Sequence, residues 1–183
     1  NSVDGSKLTD NIDIAGTLDV TGVSTLDSDA EINGITVGRG GGNVASNIAF
    51  GVGASNATST GGNNIAIGQN TLYNHTSGGD NIALGYHALY DITDGNYNIA
   101  IGRRTGQDIT GSYNVALGMG ALYDAVGVNS CVAIGYEAGV NNTSGDLNVF
   151  IGQWAGKYVT GSNNTILGAW KENESFSDTV LIS

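Results

Sequence analysis

The residues best suited to chemistry in this chain are aromatic and basic, and none belongs to a catalytic motif. All eight Tyr fall between Tyr73 and Tyr158. Tyr73, Tyr90 and Tyr123 each stand five residues after a glycine of a recurring motif, so they could form a partial stripe, and Tyr158 ends the series. Trp154 and Trp170, the only tryptophans, lie near the C-terminal end. Aromatic faces stack on sugar rings and on cations, so a stripe on a flank suits glycan recognition; the same side chains could instead cover coil edges or pack between protomers. Trp170 has two readings as well, a receptor contact near a tip or a lid over the last apolar rung. Arg103-Arg104 is the one basic pair, facing either an anionic polysaccharide or, in an ion pair, nearby acids such as Asp108.

Other chemistries find little support. His75 and His87 sit twelve residues apart at different places in the repeat, with no carboxylate at matched spacing. They read as surface polar residues, and no metal site or cofactor is expected. The recurrent Asp80, Asp91, Asp94, Asp108, Asp124 and Asp146 read as turn residues. There is no nucleophile elbow, phosphate loop or isolated carboxylate pair, so the chain is not expected to be an enzyme. Six Lys and Arg against 17 Asp and Glu give a net charge of −11, which leaves no basic footprint for nucleic acid. No apolar run approaches the 18 or so residues that would imply membrane insertion. Cys131, the one cysteine, cannot form an intrachain disulfide and reads as a small buried residue.

What must position the aromatic and basic groups is a repeat. Asn64-Ile65-Ala66-Ile67-Gly68 returns as Asn81-Ile82-Ala83-Leu84-Gly85, Asn98-Ile99-Ala100-Ile101-Gly102 and Asn114-Val115-Ala116-Leu117-Gly118. Looser copies end at Gly51, Gly135, Gly152 and Gly168, and the eight terminal glycines are 17, 17, 17, 16, 17, 17 and 16 residues apart. Seven copies begin with Asn, Cys131 being the exception; six carry Ala centrally, Phe150 and Ile166 being the exceptions. Five units place Thr eight residues after the glycine, and the shorter units lose one residue between that Thr and the next Gly, as in Thr110-Gly111 and Thr160-Gly161. Length variation thus sits in a turn and spares the strand register.

Alternation puts Ile65 and Ile67 on one face and Asn64 and Ala66 on the other. Four-residue strands each ended by Gly predict stacked coils of a parallel solenoid, with rungs about 4.8 Å apart. Stacked Asn side chains predict a hydrogen-bonded ladder along the axis. The Ala column reads as an outward face against which another protomer packs closely. The chain therefore divides into a short-stranded N-terminal β shaft (1–38), a repeat domain (39–168, with 39–46 as a flexible join) and a C-terminal cap or lead-in to a missing module (169–183). With 30 Gly and no Pro, and starting without Met, it reads as a piece of a longer protein.

The N-[IV]-A-[IL]-G-x-x-A unit resembles the head repeats of trimeric autotransporter adhesins. With Leu18-Asp19-Val20-Thr21-Gly22 and Ile35-Thr36-Val37-Gly38 preceding it, the arrangement looks closer still to bacteriophage tail fibres. The resemblance spans about residues 12–168. It implies an all-β homotrimeric fibre with a β-roll or β-helix of about eight repeats, located on a virion tail beside other tail proteins. It also implies attachment to a host glycan or other surface receptor, with Tyr73, Tyr90, Tyr123, Trp154, Tyr158, Trp170, Arg103 and Arg104 as contact candidates. A bacterial surface adhesin and a polysaccharide depolymerase spike are the alternatives. The ending Thr179-Val180-Leu181-Ile182-Ser183 looks like the lead-in to a self-cleaving chaperone module.

Overall fold

The computed structural model describes residues 30–32, 35–169 and 180–182. Most of the expected shaft, and Trp170, lie outside these residues. Eleven short strands follow one another: β1 (Ala30–Ile32), β2 (Ile35–Gly38), β3 (Ile48–Gly51), β4 (Ile65–Ile67), β5 (Ile82–Leu84), β6 (Ile99–Ile101), β7 (Val115–Leu117), β8 (Val132–Ile134), β9 (Val149–Ile151), β10 (Thr165–Leu167) and β11 (Val180–Ile182). They form one sheet in chain order. β1, β2 and β3 pair antiparallel, and every pair from β3 to β11 is parallel. The eight motif copies close about seven turns of a parallel β-solenoid.

Register is constant along the stack. Ala66 faces Ala83, Ala83 faces Ala100, and Ala100 faces Ala116 although that unit is one residue shorter. The strands are short because pairing continues beyond them: Asn70 N donates to Val52 O, Leu72 N to Ala88 O, Asn74 N to Tyr90 O and Thr76 N to Thr93 O. Each coil thus finds most of its backbone partners in the coils above and below. Residues 39–46 are drawn into this packing, with Gly41 N donating to Ser55 O at 2.7 Å and Gly40 buried.

Two backbone devices close each coil. The motif glycines adopt φ between 115° and 144°, and a Cβ there would meet the carbonyl of the next motif glycine, as Gly85 would meet Gly102 O at 2.5 Å. Neither the conformation nor the space admits another residue. Residues two, four and twelve positions after the glycine are left-handed even with side chains: His87 (φ 56°), Leu89 (φ 49°) and Tyr97 (φ 58°) in one coil. Such residues are disfavoured by about 1–2 kcal/mol each. Their amides are all used between coils, to Gln69 O, Thr105 O and Gly79 O, which offsets the strain.

The expected direction of the Ala column is reversed. Ala66, Ala83, Ala100, Ala116 and Ala133 are wholly buried within their own chain, and the aliphatic neighbours point outward. A coil this narrow has room for only one or two large side chains per rung, and these come from the far wall: Leu72, Leu89 and Leu122 four residues after the glycine, Ile92 and Ile109 seven after. The strand therefore contributes only a methyl group. Phe150 proves the geometry, because it replaces Ala where the far wall has Gly139 and Gly156, each of which would drive a Cβ into its ring. Asn stands at the buried strand entry. Asn81 Nδ2 donates to Asn64 Oδ1 and Gly95 O, Asn98 repeats the pattern onto Asn81 Oδ1 and Gly111 O, and Asn114 repeats it again onto Asn98 Oδ1 and Val128 O. The ladder expected from the sequence is present.

Candidate functional site

The outward strand residues make a two-column aliphatic stripe. Ile82, Leu84, Ile101, Ile134 and Ile151 are each 37–39% exposed, and Ile48 and Phe50 at the start of the stack reach 53% and 50%. Eight rungs spaced about 4.8 Å give the stripe a length of roughly 34 Å. Tyr97 and Tyr113, stacked at 5.0 Å between ring centroids, stand exposed beside it.

The six residues after each motif glycine build a different flank, and most of the sequence candidates meet there. Tyr73 and Tyr90 stack at 5.2 Å with planes 1° apart. The run continues through His87 to Tyr86, at 4.4 and 4.0 Å, and Arg103 lies over the Tyr86 ring at 5.6 Å. Tyr123 shares the column of Tyr73 and Tyr90 but is cut off from them by Gln107, so the expected stripe is broken there. Further along, Tyr136 meets Trp154 edge-on at 6.0 Å, and Lys157 Nζ lies 5.6 Å from the Trp154 ring and 5.3 Å from that of Tyr158.

Between these two aromatic groups is a depression of about 330 Å³, lined by Arg103, Arg104 and Tyr123 from the candidates and by Tyr136, Glu137 and Lys157, which sequence reasoning missed. It exists because the column two residues after the motif glycine reads Gly53, Asn70, His87, Arg104, Gly120, Glu137, Trp154. Past the first rung, Gly120 is the one place in that run without a side chain, and the gap opens between Arg104 and Glu137. Laying the rungs over one another would have revealed it.

The electrostatics of the pocket are uneven. Glu137 accepts from Trp154 Nε1 at 3.1 Å and from Lys157 Nζ at 3.2 Å. Burial opposes its ionisation, but the Tyr136 hydroxyl, Lys157 and Trp154 together outweigh it and hold the carboxyl below its ordinary value. Its charge is therefore already matched. Arg103 and Arg104 are exposed and take no carboxylate partner among the described residues; the ion pair seen in this region is Lys157–Glu137. The expected pairing with Asp108 is replaced by a different contact. Asp91, Asp108 and Asp124 stand one above another, and burial together with the neighbouring carboxyls raises the pKa of Asp91 and Asp108.

The reading of His75 as a surface residue is overturned. It lies fully buried in the column of Ile92 and Ile109, between the Ser59 hydroxyl and Gly78 O, and burial lowers its pKa. The missed signal was its register in a column otherwise filled by isoleucine. His87 does lie on the flank, half-buried, with its pKa lowered by burial and then by the Arg104 charge. Cys131 is buried at the ladder position as expected, and burial raises its thiol pKa. Compared with known protein families, curated proteins and solved structures, the chain matches none of them.

Proposed function

We propose that this chain is a segment of a homotrimeric fibre that attaches to cell-surface glycans, on the tail of a virion or, alternatively, on the surface of a bacterium. The observation that carries the reading is the uncovered aliphatic stripe. A closed coil has satisfied its own interior with Ala, Leu and Ile and still presents about a dozen outward Ile, Val and Leu in two straight columns. An apolar face of this length is a contact surface, and three copies related by a threefold axis parallel to the stack would each cover the others' stripe. The seam inferred from the Ala column thereby moves to the opposite face of the same strands.

Assembly through the stripe leaves the aromatic flank facing outward in triplicate. Such an array suits multivalent capture of a sugar chain, where each contact is weak and the assembly is strong. Binding is favoured over hydrolysis by the state of Glu137. A glycosidase needs one carboxyl with a raised pKa to protonate the leaving oxygen; Glu137 is shifted the other way, and the raised Asp91 and Asp108 do not line the depression.

The test is solution mass by light scattering after size exclusion, on the whole chain and on Ile101→Glu. The expected result is three times the 18.6 kDa chain mass for the parent and a folded monomer for the variant, with parent-like circular dichroism. A monomeric parent would refute the assembly.

A further inference from the structure

We propose that the depression beside Gly120 receives the carboxylate of an acidic sugar, a uronic-acid unit of a polysaccharide whose neighbouring units lie along the aromatic track. This rests on the attachment reading above and names the ligand class for it. Three of the six Lys and Arg of a chain with net charge −11, namely Arg103, Arg104 and Lys157, line this one depression. Lys157 is already matched by Glu137 and Asp124 is the other acid of the lining, so three bases against two acids leave a net positive charge, carried by two adjacent guanidinium groups that have no ion-pair partner among the described residues. Two guanidinium forks present paired donors of the geometry a planar carboxylate accepts. Arg103 is steadied over Tyr86, so its donors are held in place before any ligand arrives.

The remaining geometry fits a chain of sugars rather than a free ion. Tyr90, His87 and Tyr86 run up to Arg103 from one side, and Tyr136 and Trp154 continue beyond the gap. Aromatic rings thus flank the paired guanidinium groups on both sides along the coil axis, as neighbouring sugar rings flank each carboxylate in an acidic polysaccharide. The pocket also marks a change in the flank. Six residues after the motif glycine, Asp124, Asn141 and Tyr158 are left-handed, whereas Asn74, Asp91 and Asp108 at the same place in earlier coils are not.

The experiment measures binding by calorimetry to three probes of equal length: a galacturonic acid tetramer, its methyl ester and a sulfated glucan tetramer. Parent, Arg103→Gln, Arg104→Gln and Gly120→His are compared. The last variant fills the gap with a side chain already accommodated at His87 in the same column, where φ is 56° against 69° at Gly120. The acid should bind, weaken with added salt, and lose about tenfold or more in affinity in either Arg variant. It should fail to bind Gly120→His, whose melting temperature falls by only a few degrees, the cost of about 1–2 kcal/mol for a side chain on left-handed backbone. The ester should bind at least about tenfold more weakly than the acid. Equal binding of acid and ester, equal binding of the sulfated probe, no binding of the acid, or full binding by Gly120→His would each overturn the inference. A trimer that binds neutral glycans on an array but not the acid overturns only this proposal. A monomer that binds no glycan removes the attachment reading as well.

Discussion

The Asn ladder yields the sharpest test of what holds the coils together, because the chain contains both an intact stretch and a natural break. In Asn98→Ala, Gly111 O loses the Asn98 Nδ2 donor at 3.0 Å and Asn114 N–H loses the Asn98 Oδ1 acceptor at 3.0 Å. Each is the only partner its backbone group has among the described residues, and the Asn114 N–H is buried while the Gly111 carbonyl is part-buried. A buried group left unsatisfied costs about 1–3 kcal/mol, so the variant should lose about 3 kcal/mol or more, a fall in melting temperature on the order of 10 °C. The break supplies the opposite perturbation. Cys131 N still donates to Asn114 Oδ1, but its sulfur offers the Asn148 N–H no oxygen and gives Gly145 O only a thiol donor at 3.3 Å, while Asn142, three residues before Gly145, bonds both its N–H and its carbonyl. Cys131→Asn should restore the ladder and add about 1–2 kcal/mol. Gly145 O would then accept two amides, as Gly78 O accepts from Asn64 Nδ2 and His75 Nε2. Urea unfolding followed by far-ultraviolet circular dichroism reads both variants. If each stays within 0.5 kcal/mol or so of the parent, an uncertainty typical of surface changes, the ladder is ornament and the stability resides elsewhere.

Three further outcomes follow from individual columns. Phe150→Ala restores the residue found at most strand centres yet should cost about 3–5 kcal/mol in urea unfolding, because Gly139 and Gly156 leave its place empty; adding Gly156→Leu, the residue at Leu72 and Leu122 in that left-handed column, should recover a large part. His75 is held neutral in the core with a pKa below its ordinary 6.5, so its share of stability is complete above that value and is lost as pH falls through the window beneath it; His75→Ile should flatten the melting temperature between pH 7 and pH 5. Asp108 has a raised pKa, so its ionisation destabilises the fold as pH rises above 3.8; Asp108→Asn should raise the melting temperature at pH 7 by a few tenths to about 1 kcal/mol equivalent and leave it unchanged at pH 3, as scanning calorimetry would show.

Periodicity carried most of the architecture. Eight glycines at 16–17-residue intervals, with the deletion confined to Thr110-Gly111 and Thr160-Gly161, define stacked coils whatever their shape, and Asn repeated at strand entry meets the Asn of the next coil. What alternation could not say was which face turns inward. Ile65-Ala66-Ile67 has the same period read from either side, and the hydrophobic expectation puts Ile inside. The answer lay in the other half of the unit, where Leu72 and Ile92 already claim the interior and leave the strand side only room for a methyl. The left-handed His87, Leu89 and Arg104 were illegible for a related reason: propensity disfavours them, and only amide bonds to adjacent coils, seventeen or so residues away, make them the lower-energy choice. Arg103 and Arg104 were recognisable as unusual, but the pocket they border is made by Gly120, whose significance is what it lacks.

That last point bears on how such a coil could acquire and change specificity. Inside, a change at one rung demands a matching change at its neighbours, as Phe150 demands Gly139 and Gly156 and as Cys131 demands Asn142. On the flank the demand is weaker, because neighbouring rungs meet there only through side-chain tips, as Asn70 meets His87 and Trp154 meets Glu137. The column two residues after the motif glycine carries Asn70, His87, Arg104, Gly120, Glu137 and Trp154 on the same left-handed backbone, with φ from 50° to 69°. Conformation there is fixed by inter-coil amide bonds, so the side chain is free to vary without refolding the coil. A pocket can then arise by losing one side chain, and its charge can be reset by changing the residue one rung above or below. Exchanging both Arg103 and Arg104 for Glu turns a lining of three bases and two acids into one base and four acids, and should therefore reverse the sign of the ligand preferred by the pocket while leaving unfolding unaltered to within about 1 kcal/mol. A loss of several kcal/mol in that exchange would show that flank and interior are coupled after all.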